Sequence, residues 1–242
     1  MIGCTCATCT SPDPKNHRTR CAVALGLPEG NLLIDTPPEL RLQLIRQRIG
    51  IIHAVAYTHG HADHLFGLDD LRIFPRYLGA EVPIYCEPRV EQIIRQAFAY
   101  AFDPQVRDLP AGGVPQLAFR RLTGEPFEVL GAQLTPIPLI HGQAGSLGFR
   151  VGNVAYCTDA KAIPPSSAAL LKNLEVLILD GLRHHPHPTH MCIAEALEVV
   201  RQLRPRRTYL THIAHQLEHH ATNRILPPGV ELAYDGLTIG LV

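Results

Sequence analysis

Residues 58–64 read Thr58-His59-Gly60-His61-Ala62-Asp63-His64, so three imidazoles and one carboxylate crowd into a single short turn. The apolar run Ala54-Val55-Ala56-Tyr57 leads straight into it, and a helix-like segment follows. Such a turn must close the end of a strand. Imidazole suits borderline divalent metals, and a carboxylate adds a harder oxygen donor. Adjacent Asp63 and His64 point differently from His59 and His61, so the four donors predict two ions: His59 and His61 on one, Asp63 and His64 on the other. A solvated His-rich turn is the plain alternative, and the spacing at a strand end weighs against it.

Four donors do not complete two sites, so more should stand at other strand ends. His141 follows the run at 134–140, Asp159 the run at 154–158, and His212 the run at 208–211. Singly, each reads as a capping Asp or a surface His. Together, each just beyond an apolar run, they strengthen the two-metal reading.

The rest of the chain fits a single globular domain over residues 1–242. A hydrophobic share of 46% and a net charge of zero describe an ordinary soluble protein without the basic footprint of a nucleic-acid binder. A local basic patch can still hide in a neutral total. No apolar run is long enough to span a membrane, and the start lacks the pattern of a secretory signal. Cys4, Cys6 and Cys9 stand too close for a disulfide framework, and a reducing cytoplasm fits them better. Cys21, Cys86, Cys157 and Cys192 read as ordinary buried thiols.

Apolar runs of strand length fall at 20–27, 31–35, 53–58, 133–138, 147–151, 154–158, 174–180 and 208–211. Helical patterns fall at 38–49, 63–74, 88–101, 166–172 and 192–203. Residues 103–126, rich in Pro and Gly, read as an irregular insertion. Hairpin-like groups followed by alternating strands and helices suit two sheets with helices outside.

His-x-His-x-Asp-His, then a lone His, a lone Asp and a late His, resembles the metallo-β-lactamase superfamily. The resemblance implies an α/β, four-layer αββα fold, a β-sandwich flanked by helices. It puts His59, His61 and His141 on one metal and Asp63, His64 and His212 on the other, with Asp159 bridging. It implies hydrolysis by water activated on two divalent ions, in which Asp63 and Asp159 hold the metals and orient the nucleophile. Imidazole and carboxylate donors suit zinc or manganese, and iron as well. Retention of Asp63 resembles the hydrolase and phosphodiesterase branches.

Two further segments resemble the phosphoribosyl cyclic phosphate phosphodiesterase branch. Three thiolates as close as Cys4, Cys6 and Cys9 can cap one tetrahedral zinc that needs a fourth donor. The resemblance supplies His215 as that donor, giving a structural zinc. The segment 179–190 resembles the one whose final His lies near the substrate phosphate, which assigns His190 to phosphate binding or to protonating the leaving oxygen. His184, His185 and His187 carry weaker claims, and His17, His53, His219 and His220 read as structural or surface. Relatives carry a strand and a Gly-rich turn before the Cys cluster. Here the chain begins almost at the cluster, so either the true start lies upstream of Met1 or the first edge strand is missing.

The expected activity is therefore hydrolysis of small, cyclic phosphodiesters, with no membrane or nucleic-acid partner and, by resemblance only, a homodimer. A tRNA 3′-processing endonuclease is the first rival, but the 103–126 stretch offers only Arg107, Arg120 and Arg121 as cations. A pyrroloquinoline quinone biosynthesis-type carrier expects an eroded metal site, and thioester or lactam hydrolysis uses the same metal core.

Overall fold

The computed structural model describes residues 1–107 and 113–240. Residues 108–112 of the expected insertion, and the last two residues of the expected domain, lie outside them. The chain divides into two compact units, Arg20–Leu134 and Met1–Thr19 with Thr135–Val242.

In the unit Arg20–Leu134, a five-stranded sheet has the order β1 (Val23–Leu27), β2 (Gly30–Ile34), β3 (Ala54–Ala56), β4 (Val82–Cys86), β5 (Leu117–Arg121). β1 and β2 form an antiparallel hairpin, and β2 to β5 run parallel. Parallel pairing needs long crossovers. These carry α1 (Leu40–Gln47), α2 (Ala62–Leu65), α3 (Phe74–Leu78), α4 (Pro88–Ala97) and α5 (Pro104–Arg107). Covered strands are apolar on both sides, and all three residues of β3 are buried. The core gathers Leu33, Val55, Tyr57, Leu65, Leu71, Ile84 and Ile94.

Two expectations change here. The helix read at 63–74 breaks into α2 and a 3-10 segment, Leu68–Ile73. Thr36 N donates to His64 O at 2.8 Å and Gly67 N to Thr36 O at 2.9 Å, so the backbone after the metal motif bonds to the loop after β2 instead of continuing the helix. The insertion read at 103–126 contains α5 and β5. Alternation in Leu117-Ala118-Phe119-Arg120-Arg121 is short and flanked by Pro and Gly, which hid a strand that pairs along β4.

β6 (Phe127–Val129) makes a hairpin with the first residues of β7 (Ala132–Leu139), and β7 carries the chain into the other unit. There follow β8 (Ser146–Val151), β9 (Val154–Cys157), α6 (Pro165–Leu170), β10 (Val176–Asp180), α7 (Ile193–Leu203), β11 (Arg207–Thr211), α8 (His219–Asn223) and β12 (Val230–Leu232). The sheet order is β12-β11-β10-β9-β8-β7-β6. β9 to β12 run parallel, so the C-terminal ends of β9, β10 and β11 share one edge, where open α/β sheets place their ligands. α7 matches the helix read from the sequence. Glu195 Oε2 accepts from Cys192 N at 2.8 Å and caps its start. The core of this unit gathers Ile137, Leu177, Leu179, Ala196 and Leu210. Residues 1–22 hold one 3-10 turn, Pro14–Asn16, and no strand among the described residues. No helix among them is long and apolar enough to cross a membrane.

A Cβ at Gly67 would sit 2.1 Å from Pro37 O and 2.9 Å from Leu40 Cβ. Backbone cannot yield there as a side chain would. Gly67→Ala is expected to lower unfolding free energy by about 3 kcal/mol, read from the urea midpoint at constant slope. An unchanged midpoint would show that the loop can shift freely.

Candidate metal centre

The unit Arg20–Leu134 carries His59, His61, Asp63 and His64 beyond the end of β3. What aims them is Asp35, the residue after β2, fully buried and held in the left-handed region at φ 66°. Its carboxylate accepts from Thr58 N and from Thr58 Oγ1, each at 2.8 Å, and from His64 Nδ1 at 2.7 Å. Both ends of the motif are thus tied to one side chain. Burial holds the Asp35 carboxyl above the ordinary carboxylate range, against the pull of His64 and Thr58. His59 Nδ1 lies 2.9 Å from Thr58 Oγ1. In both rings the engaged nitrogen is Nδ1, so Nε2 is the nitrogen that could take a metal. The His59 ring centroid is 4.4 Å from that of His61 and 4.5 Å from that of His64, and His64 Nε2 is 3.6 Å from Asp63 Oδ2.

The second unit carries His141, Asp159 and His212 beyond β7, β9 and β11. Asp159 and His212 are left-handed, at φ 52° and 56°. Non-glycine residues seldom adopt this conformation, and it concentrates at functional sites. Asp159 is buried, and its Oδ2 accepts from Thr158 Oγ1 at 2.8 Å. Its Oδ1 lies 3.5 Å from His212 Nε2, 3.7 Å from His141 Nε2 and 3.9 Å from His190 Nε2. These separations exceed a hydrogen bond. They approach the roughly 3.4 Å between donors on one tetrahedral ion with bonds of about 2.0–2.1 Å. His141 Nδ1 donates to Thr189 O at 2.8 Å, which again leaves Nε2 as the donor nitrogen. The donor set in each unit, imidazole Nε2 with carboxylate oxygen, fits divalent metal.

His190 is held from behind. Its Nδ1 is 2.8 Å from Asp180 Oδ2, and that oxygen also accepts from Ala160 N at 2.9 Å. Burial pushes the Asp180 carboxyl up, and His190 draws it back down. The His190 ring stacks on His212 at 4.5 Å. His187 lies 5.1 Å from His190, and burial lowers its pKa. His184 and His185 are exposed.

The same unit gathers Cys4, Cys6, Cys9 and His215, whose donor atoms all lie within 4.8 Å of one another. His215 Nδ1 is 3.4 Å from Cys4 Sγ and 3.5 Å from Cys6 Sγ. His215 lowers the Cys6 thiol to about 6, so a thiolate is present at neutral pH. Three sulfurs and one imidazole are a zinc donor set. Burial instead pushes Cys86 and Cys157 up to about 12, as inert thiols. Cys21 is half-buried. His53 Nδ1 accepts from Asn31 N at 3.0 Å and His17 Nε2 meets Ser11 O at 2.7 Å, both local structural contacts.

Sequence reasoning missed Asp35 and Asp180. The signal was present, since each ends an apolar run as Asp159 does.

These features define a metal-dependent hydrolase of the metallo-β-lactamase fold. The chain belongs to the family described as beta-lactamase superfamily domain, which matches residues 30–213. It is 41% identical to a diphosphatase of the PhnP family known from a crystal structure, with TM-score 0.92 over 100% of this chain and 92% of that one. Zn(2+)-bound PqqB from Methylobacterium extorquens shares the fold at 21% identity, TM-score 0.73, over 99% and 95% of the two chains. Human tRNase Z, short form, does so at 19% identity, TM-score 0.66, over 95% and 94%. Among curated proteins it is 34% identical to an octanoyltransferase of Porphyromonas gingivalis over 98% of this chain. The chain spans about half of that relative's length, 48%.

Removing the Asp35 carboxylate would leave Thr58 and His64 without their buried acceptor. Asp35→Ala is expected to cost about 3–5 kcal/mol, measured by urea unfolding, with Asp35→Asn losing less. Equal, small losses in both variants would deny Asp35 this role.

Proposed function

We propose that this chain is a dinuclear-metal hydrolase that cleaves P–O bonds in small phosphodiesters, cyclic ones among them, and in diphosphates. The observation that carries the reading is Asp159 Oδ1, which faces His141, His212 and His190 at 3.5–3.9 Å. The reading takes the two units as halves of one domain. In it, His59, His61 and His141 would hold one ion, Asp63, His64 and His212 would hold the other, and Asp159 would serve both. Divalent ions so held supply ionised water at neutral pH and offset phosphate charge. Cys4, Cys6, Cys9 and His215 hold a structural zinc.

His190 presents Nε2 beside Asp159 while Asp180 fixes its Nδ1. That arrangement suits a proton donor to the departing oxygen, with Asp180 stabilising the imidazolium before transfer. Identity of 41% with a diphosphatase supports phosphorus as the electrophile. A small substrate is favoured over RNA because the segment 103–126 offers only Arg107, Arg120 and Arg121 as cations, and Arg121 is already paired with Glu91 at 2.7 Å. Zinc or manganese as the catalytic metal follows from the donor chemistry, a cytoplasmic location from the closely spaced cysteines, and a homodimer from the resemblance alone.

Acyl hydrolysis is a second reading, favoured by the octanoyltransferase name of the Porphyromonas relative. A thioester run beside a phosphodiester separates the two.

About three metal ions per chain are expected, with hydrolysis of bis-p-nitrophenyl phosphate. Asp63→Ala should cut turnover at least about 100-fold. Cys6→Ser should remove one ion and lower the thermal midpoint. A single thiolate-bound ion and no turnover would sink the enzyme reading.

A further inference from the structure

Directly after the metal motif the chain does something that core packing does not explain. His64 and Leu65 are buried, yet the next residue, Phe66, is 53% exposed. Its backbone is fixed: Phe66 N donates to Ala62 O at 3.1 Å, and Gly67 N donates to Thr36 O at 2.9 Å. The main chain is therefore not frayed there, and the ring stands outside the core. It contacts Phe98 edge-to-face, with centroids 5.9 Å apart and planes at 83°. Phe98 is nearly buried, and Tyr100 lies 6.4 Å beyond it with its hydroxyl donating to Asp69. The same helix that ends at Phe98 closes on the metal motif, because a Cβ at Gly60 would meet Ile93 Cδ1 at 2.5 Å. One wall, α4 and the turn after it, thus touches both the His59-Gly60-His61 turn and Phe66.

We propose that Phe66, backed by Phe98 and Tyr100, is a stacking shelf for the planar ring of the substrate, the base of a nucleoside diphosphate derivative. This rests on the reading of the chain as a P–O hydrolase and names its substrate class. The phosphates themselves do not belong on the shelf, since Asp69 and Asp70 follow Phe66 closely in the chain and would repel them. What the shelf accepts is the uncharged, flat arm. Stacking of a base on an aromatic side chain tolerates any base and is removed by alanine.

Two substrates and two variants test this. The methyl ester of adenosine diphosphate carries a base, and dimethyl diphosphate carries none. In Phe66→Ala the ratio of kcat/KM between them should fall about tenfold, through KM, and Phe66→Tyr should restore it. Quenching of etheno-adenosine diphosphate fluorescence should weaken by a similar factor in Phe66→Ala. An unchanged ratio with unchanged quenching overturns the shelf. So does an equal fall for both substrates accompanied by dissociation on gel filtration, which would mean that a second copy covers Phe66. If the wild-type protein cleaves neither these diphosphates nor bis-p-nitrophenyl phosphate, the P–O reading fails, and the quenching still decides the shelf.

Discussion

A buried carboxylate facing three donors sets the geometry of the motif from which everything else was read. Asp35 is fully removed from water, and an unpaired charge there would be costly. It is tolerable because Thr58 N, Thr58 Oγ1 and His64 Nδ1 all point at it within 2.7–2.8 Å. The consequence runs outward. Thr58 is fixed, so His59 starts its turn from a defined place. His64 is fixed, so its Nε2 can face only one way. The intervening residues must then bridge a closed span, and Thr36 takes over the backbone bonds beyond His64, so Ala62–Leu65 makes one helical turn and stops.

The second unit solves the same problem by the same means at other strands. Asp180 stands to His190 as Asp35 stands to His64: a buried carboxylate at a strand end that fixes Nδ1 and aims Nε2. In both units residues that turn a strand end toward the donors adopt the left-handed conformation, Asp35 in one and Asp159 and His212 in the other. Such backbone is unfavourable for a residue with a Cβ. Its repetition at three chemically committed positions shows a local cost accepted in order to direct side chains. The same conformation at Arg48 and Arg204 closes α1 and α7, where it has an ordinary capping role.

How much of this could be read in advance follows from what each feature needs. The motif at 58–64 is local, so residue types and spacing were enough. His141, Asp159 and His212 were legible because each directly follows an apolar run. Asp35 and Asp180 carry the same mark but bind no metal in the resemblance, so only their hydrogen bonds reveal them. β4 and β5 escaped because each is a short strand lying among crossover segments, with Pro83 inside one and Pro and Gly around the other. Their identity comes from pairing between residues some 35 positions apart, Val82 with Leu117, which no local window contains. The break in the helix read at 63–74 is likewise a long-range effect, imposed by Thr36.

The thiolate cluster gains meaning from where its fourth donor stands. His215 lies in the loop that leaves β11, three residues after His212. His212 is left-handed, and a lone loop has little to hold it there. His215 meets Cys4 and Cys6 at 3.4–3.5 Å, while Arg18 Nη1 donates to Ala214 O at 3.2 Å. Segments from opposite ends of the chain therefore clamp the far side of this loop, as Asn16 clamps the next helix through Glu218 at 2.8 Å. Zinc binding at such a cluster is folding free energy. Zinc held there would deliver that energy to the turn that carries His212, whose backbone is left-handed. The N-terminal cysteines thus do for His212 what Asp35 does for His64: they fix the residue next door so that the donor has one place to be.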